Sequence, residues 1–250
     1  MENAAMSKGQ ERMEKFIKRR KNLYFSPDAG AVELGEMLQE LLGISDEQWG
    51  RYAFLREPLA GKTTPQQRVE FVQQAYACGT EYAQKVMKLY SVHSLAQLAQ
   101  SLKAQVSFPF RPEGGAGAGQ VLFARFTHPN KIEVFTDCIQ KAEAALQKEN
   151  VPEALKNTPI ADVLLGHELF HMVEEMYADE IYTMTPQIPV KIVGLIPSRA
   201  KLICLSEIAA MAFTKELNCL PFTPYLYDVF LVYLYNKQEA YNLFSQVRSL

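Results

Sequence analysis

Leu164-Leu165-Gly166-His167-Glu168-Leu169-Phe170-His171-Met172-Val173-Glu174-Glu175 is the stretch from which the rest of the chain is best read. His-Glu-x-x-His on a helix sets two imidazoles at i and i+4, about one turn apart on one face. Two neutral imidazoles at that spacing can bind one Zn²⁺ and leave room for a third ligand and a water. Glu168 is turned about 100° from His167, so it flanks the metal instead of binding it. From there its carboxylate can accept a proton from a water that the metal has made acidic. The surrounding pattern predicts a helix over 158–177. Thr158-Pro159 reads as an N-cap followed by proline at the first helical position. Ile160, Val163, Leu164, Phe170, Val173, Met176 and Tyr177 then recur at helical spacing with no internal proline. Two histidines meeting by chance on a core helix is the bland alternative. It has to explain why two of only four histidines bracket a glutamate on an unbroken apolar helix.

A catalytic zinc needs three protein ligands, so one more must come from elsewhere. Glu174 and Glu175 lie on the same helix, but successive turns move away by about 5.4 Å, which suits them to orienting a ligand imidazole. Glu207, in Ser206-Glu207-Ile208-Ala209-Ala210-Met211-Ala212-Phe213, is the stronger candidate. A lone acid in an apolar helix is costly to bury unless it is paired or ligates a metal. The alanines around it allow the close helix approach that a short ligand requires.

His167-Glu168-x-x-His171 followed by Glu207-x-x-Ala210-x-x-Phe213 resembles the gluzincin class of zinc metallopeptidases. It is similar in particular to compact bacterial cytosolic members that cleave repressor proteins. The resemblance covers roughly residues 121–221 and implies Zn²⁺ held by His167, His171 and Glu207, with Glu168 as general base. Several gluzincins place an aspartate four residues after the ligand glutamate; here that position is Met211. Either another carboxylate, Glu174, Glu175, Asp179 or Asp162, then orients the ligand imidazole, or the site is tuned differently. His128, Tyr182, Arg199 and Tyr225 are chemically able to stabilise a developing oxyanion, and the sequence does not choose among them.

The expected fold class is α+β and mostly helical: a helical N-terminal region over 1–110, a Gly-rich linker at 111–120, and a zincin-like metallopeptidase unit over 121–250. The first region carries helices over 29–43, after Ser45-Asp46, after Thr64-Pro65 and from Ser94 through Leu95, Leu98, Leu102 and Val106, with Gly79 a point where the third of them can break. Its first 21 residues hold seven basic against three acidic side chains, on a helix or a frayed tail. Gly61-Lys62-Thr63 looks like the end of a phosphate loop, but Arg56 stands where the leading glycine belongs. Arg111-Pro112-Glu113-Gly114-Gly115-Ala116-Gly117-Ala118-Gly119 lacks the lysine and the following helix.

Beyond the linker, Val121 to Phe126 and Lys131 to Thr136 read as a β-hairpin around Thr127-His128-Pro129-Asn130. The second strand offers an edge along which an extended substrate can add. A helix over 137–149 leads to the metal helix. Short extended pieces over 180–197 follow, then a helix capped by Ser198 and ending near Asn218. Thr223-Pro224 opens a last helical region to Leu250. Its first half is apolar nearly all round, as suits a core or a homodimer contact.

Hydrophobic residues make up 48% and charged residues 22%, an ordinary globular balance with net charge −2. That balance gives no reason to expect nucleic acid or a membrane surface as partner. No apolar run reaches the ~18 residues of a membrane span, and none follows the basic N-terminus as a signal peptide would. The four cysteines show no CxxC pairing and read as reduced thiols of a cytoplasmic protein. The function expected is hydrolysis of a peptide or protein substrate. The alternatives are a regulatory or binding module whose metal site is not catalytic, and a helical interaction protein with a vestigial site. Retention of Glu168 favours catalysis, since a structural site needs only ligands.

Overall fold

Ser45, Thr64 and Ser94 begin three helices in the manner their side chains dictate. Ser45 Oγ accepts from Gln48 N at 3.2 Å and starts α2 (Asp46–Leu55), which follows α1 (Leu34–Leu42). Thr64 and Gln67 close a reciprocal capping box, with Pro65 in the first turn of α3 (Pro65–Tyr90). Ser94 caps α4 (Leu95–Ser101). The computed structural model describes residues 32–111, 122–148, 150–185, 187–192 and 196–250. The basic lead-in and all of the Gly-rich stretch except Arg111 lie outside them.

Two expectations for this region are corrected. Gly79 does not break α3. A Cβ there would meet Ala209 O at 2.1 Å and Ala212 Cβ at 2.8 Å, so the glycine is what lets a later helix lie against α3. The helix from Ser94 does not reach Val106. Lys103 adopts a left-handed backbone (φ 57°), and the chain leaves as strand β1 (Gln105–Ser107).

The hairpin forms as β2 (Ala124–Thr127) and β3 (Lys131–Val134), antiparallel, with Phe126 opposite Ile132. β1 pairs with β3 in parallel, giving the order β1-β3-β2. β3 is therefore flanked on both sides, and the edge expected at 131–136 is closed; β2 is the edge strand beside the helix that carries His167 and His171. α5 (Thr136–Leu146) and the one-turn α6 (Glu153–Lys156) lead into α7 (Ile160–Met176). Thr158 does not cap α7, because its hydroxyl donates backward to Ala154 O at 2.8 Å. β4 (Gln187–Ile192) and β5 (Ile196–Lys201) form a separate hairpin. Ser198 lies within β5, so α8 (Ile203–Leu217) starts later than its sequence suggested, with Leu202 at its N-cap.

The last region divides into α9 (Leu226–Tyr233) and α10 (Lys237–Arg248). Asn236 caps α10 by accepting from Glu239 N at 3.1 Å. Leu226, Tyr227, Val229, Phe230 and Leu231 of α9 are buried within the chain. No helix among the described residues is long and apolar enough to cross a membrane.

Among the described residues the architecture is α+β, mostly helical with two small sheets. Residues 34–250 are one compact unit in which the region before 110 and the region after 121 share a sheet and a core. That core joins Tyr82, Ala83 and Val86 of α3, Ile132 and Val134 of β3, Leu169, Phe170 and Val173 of α7, and Ala209 and Phe213 of α8. Phe170 and Phe213 meet edge to face at 5.5 Å. α7 is buried on most of its circumference between the sheet, α5 and α8, which fixes its rotation and hence the direction of its two histidines.

Candidate metal centre

α7 and α8 approach closely where Gly166 faces Thr214; a Cβ on Gly166 would stand 3.1 Å from Thr214 Cγ2. The alanines of α8 serve a different neighbour from the one expected, since Ala209 and Ala212 lie against Gly79 of α3. The approach brings Glu207 to the histidine face of α7. His167 Nε2 and His171 Nε2 are 3.1 Å apart. Glu207 Oε2 lies 3.3 Å from His167 Nε2, and Oε1 lies 3.7 Å from His171 Nε2. Among the described residues these three form a group whose candidate ligand atoms all lie within 4.8 Å of one another.

Zinc–ligand bonds of about 2.0–2.2 Å in a tetrahedron place neighbouring ligand atoms roughly 3.3–3.5 Å apart. The two imidazole nitrogens, at 3.1 Å, are near that value, and each has one oxygen of the Glu207 carboxylate at 3.3 or 3.7 Å, so the three side chains can supply three ligands to one zinc and leave a position for water. Two borderline nitrogens and one carboxylate oxygen are also a chemistry zinc accepts.

The acids on α7 have other partners. Glu175 Oε2 meets His128 Nδ1 of the β2–β3 turn at 2.5 Å, on the surface. Glu174 is buried and accepts from the hydroxyls of Ser206, at 2.7 Å, and Thr183. Ser206 Oγ is in turn 3.3 Å from His171 Nδ1, which stands 3.7 Å from Glu174 Oε2. With Ser206 donating to Glu174, its oxygen accepts from His171 Nδ1–H. Nε2 then keeps its lone pair for a metal. Of the four carboxylates that could replace the missing aspartate, Glu174 is the one in that position; Asp162 and Asp179 are exposed. Burial pushes the Glu174 carboxyl up, and nearby His171 together with the bonds from Thr183 and Ser206 more than offsets this, holding it below the usual carboxylate range.

Glu168 is buried, and its Oε2 accepts from the backbone N–H of Phe126 in β2 at 2.7 Å. The bond ties the carboxylate to the edge strand, close enough to His167 for its charge to be felt there. In the protein alone, burial pulls His167 down, but Glu207 beside it prevails and holds the imidazole up at about 9. Partial burial pushes Glu207, whose side chain keeps 46% exposure, up, and His167, His171 and Arg56 together bring it down to about 2.

Arg56 belongs to a feature the sequence reading did not anticipate. It donates to Asp228 of α9 at 2.9 Å and to the hydroxyl of Tyr52, and lies over the Tyr52 ring at 4.5 Å. Burial raises Asp228 above the usual carboxylate range against the pull of Arg56, and its charge is felt at His167. Asp228 carries the same signal as Glu207, an acid inside an apolar run, and could have been found by it. Of the oxyanion candidates, His128 is paired with Glu175 and Arg199 is exposed on β5. Tyr182 borders the main core. Tyr225 is buried, stacked on Trp49 at 5.7 Å, and its hydroxyl has no hydrogen-bond partner among the described residues. The chain matches no protein-family model, no curated protein and no solved structure.

Proposed function

We propose that the protein is a zinc metallopeptidase of the gluzincin type, in which the β1–β3 sheet, α7 and α8 make up a zincin-like unit. The observation that carries the reading is the convergence of His167, His171 and Glu207 from two helices, with Glu168 beside them and tied to the sheet edge. A bound zinc supplies Lewis-acid polarisation of a scissile carbonyl and of a water. His167, His171 and Glu207 would hold it, and Ser206 with Glu174 orient His171. Glu168 accepts a proton from the water whose oxygen bonds to the carbonyl carbon. It returns that proton to the departing amine as the C–N bond breaks. The Phe126 N–H keeps the carboxylate facing the substrate. Strand β2, beside α7, is the edge along which an extended peptide or protein segment can lie. Four cysteines without a disulfide, three of them buried, support a reducing, cytoplasmic setting.

The test is incubation of the zinc-loaded protein with a mixed peptide library, read by mass spectrometry, with Glu168→Gln as control. Cleavage by the parent and at least 100-fold less by Glu168→Gln is expected from loss of a general base. Equal cleavage by both refutes the mechanism. Zinc binding by both without any cleavage favours a non-catalytic binding module.

A further inference from the structure

The helix that carries Glu207 does not cap itself. Leu202 stands at the N-cap of α8 and offers no polar side-chain atom to the first N–H groups. The acceptor comes from 147 positions earlier, where Glu57 Oε2 accepts from Cys204 N at 3.0 Å. Glu57 Oε1 accepts from Leu59 N at 2.9 Å. The side chain is buried, with 5% exposure, and no ion pair of Glu57 occurs among the described residues. A buried carboxylate without a cation is costly unless its oxygens are hydrogen-bonded. Here both oxygens are taken by backbone N–H groups, one of them at the positive end of a helix dipole.

The turn presenting Glu57 is itself held on both sides. Ala60 N bonds to Glu57 O at 3.1 Å, and Arg68 reaches Ala60 O at 2.7 Å and Thr63 Oγ1 at 2.9 Å. Arg56, the preceding residue, is tied to Asp228 at 2.9 Å. A side chain so fixed gives α8 a reference point in space. Glu207 follows Cys204 by one turn. A slip of α8 by a single residue would move its carboxylate by about 1.5 Å along the axis and about 100° around it. Bonds of about 2 Å to a metal do not survive that displacement.

We propose that Glu57 is a positioning residue for Glu207, pinning the first turn of α8 at the height and rotation that complete the metal centre. The inference rests on the reading of His167, His171 and Glu207 as the ligand set. It gives the helical region before residue 110 a part in the site, since that region supplies the cap.

The experiment compares zinc affinity, by chelator competition, and the visible spectrum of the Co²⁺-loaded protein across the parent, Glu57→Ala, Glu57→Leu and the milder Glu57→Gln. Ser94→Ala, which removes the cap of α4, is the control for general loss of stability. Expected are zinc binding weakened by about 10–100-fold in the Glu57 variants, the scale of losing a group that orients a ligand, and an altered Co²⁺ spectrum. Ser94→Ala should keep the parent's affinity within about twofold at a comparable fall in Tm. Glu57→Gln retains shape and one acceptor, so it reports even if Glu57→Ala does not fold. Parent-like affinity and spectrum in Glu57→Ala, or in both Glu57→Gln and Glu57→Leu where Glu57→Ala does not fold, overturn the proposal while leaving the ligand set intact. A parent that binds no zinc overturns the ligand set, and this inference with it.

Discussion

Zinc binding should be steeply dependent on pH, because the ligand that must be neutral is held protonated by its neighbour. In the proposed site His167 would coordinate through a nitrogen that carries a proton when the imidazole is charged, and Glu207 holds it charged up to about 9 in the protein alone. At pH 7 such a group is about 99% protonated, so zinc has to displace close to one proton from it, and the apparent affinity is about 100-fold below its limit. Raising the pH from 7 to 8 should tighten binding by about tenfold; an imidazole at the ordinary value would give less than about 1.5-fold over that interval. For the protein without zinc the sign is opposite. The His167 contribution to stability is full below 6.5, the unperturbed value, and is lost as pH rises through about 9. The Glu207 contribution is present above 4.5 and is lost as pH falls through about 2. Metal-free Tm should therefore decline toward alkaline pH while the increment that zinc adds grows. Competition against a chelator of known pH dependence measures the first effect, and thermal melts with and without zinc measure the second. Zinc affinity that is flat between pH 7 and 8 would refute the coupling of His167 to Glu207.

Glu174→Ala should weaken zinc by about 10–100-fold, because His171 loses the group that fixes its tautomer; Glu175→Ala, which frees only exposed His128, should change affinity less than twofold by the same competition assay. Gly79→Ala places a methyl 2.1 Å from Ala209 O and should cost about 1–3 kcal/mol, lowering Tm by several degrees in a thermal melt. Phe170→Ala removes a fully buried ring packed on Phe213 and should cost about 3–5 kcal/mol in denaturant unfolding.

Helix α7 and the β-hairpin were legible because each carries a local signal. In the first, His167 and His171 stand one turn apart within an apolar repeat; in the second, β-rich runs flank His128-Pro129-Asn130. Ser45, Thr64 and Ser94 announced their helices for the same reason, each bonding to an N–H three residues on. What stayed hidden depends on partners far away in the chain. β1 exists because β3 lies beside it, and no pattern within Gln105–Ser107 distinguishes it from the helix before it. Gly79 looked like a breaker because a lone glycine weakens a helix; its reason is the backbone of Ala209, 130 residues later. Ser198 had the chemistry of a cap, but pairing of β4 with β5 took it first. Glu57, between an arginine and a proline, gave no hint of the helix it meets.

The most direct test of the central claim is metal content across a set of six proteins, the parent, Glu168→Gln, His167→Ala, His171→Ala, Glu207→Ala and Glu174→Ala, by elemental analysis after zinc loading and removal of excess metal. The parent and Glu168→Gln should each hold one zinc per chain, while His167→Ala, His171→Ala and Glu207→Ala should each hold close to none. Full zinc in Glu207→Ala, with loss instead in Glu174→Ala, or no zinc in the parent after reconstitution, would contradict the site described.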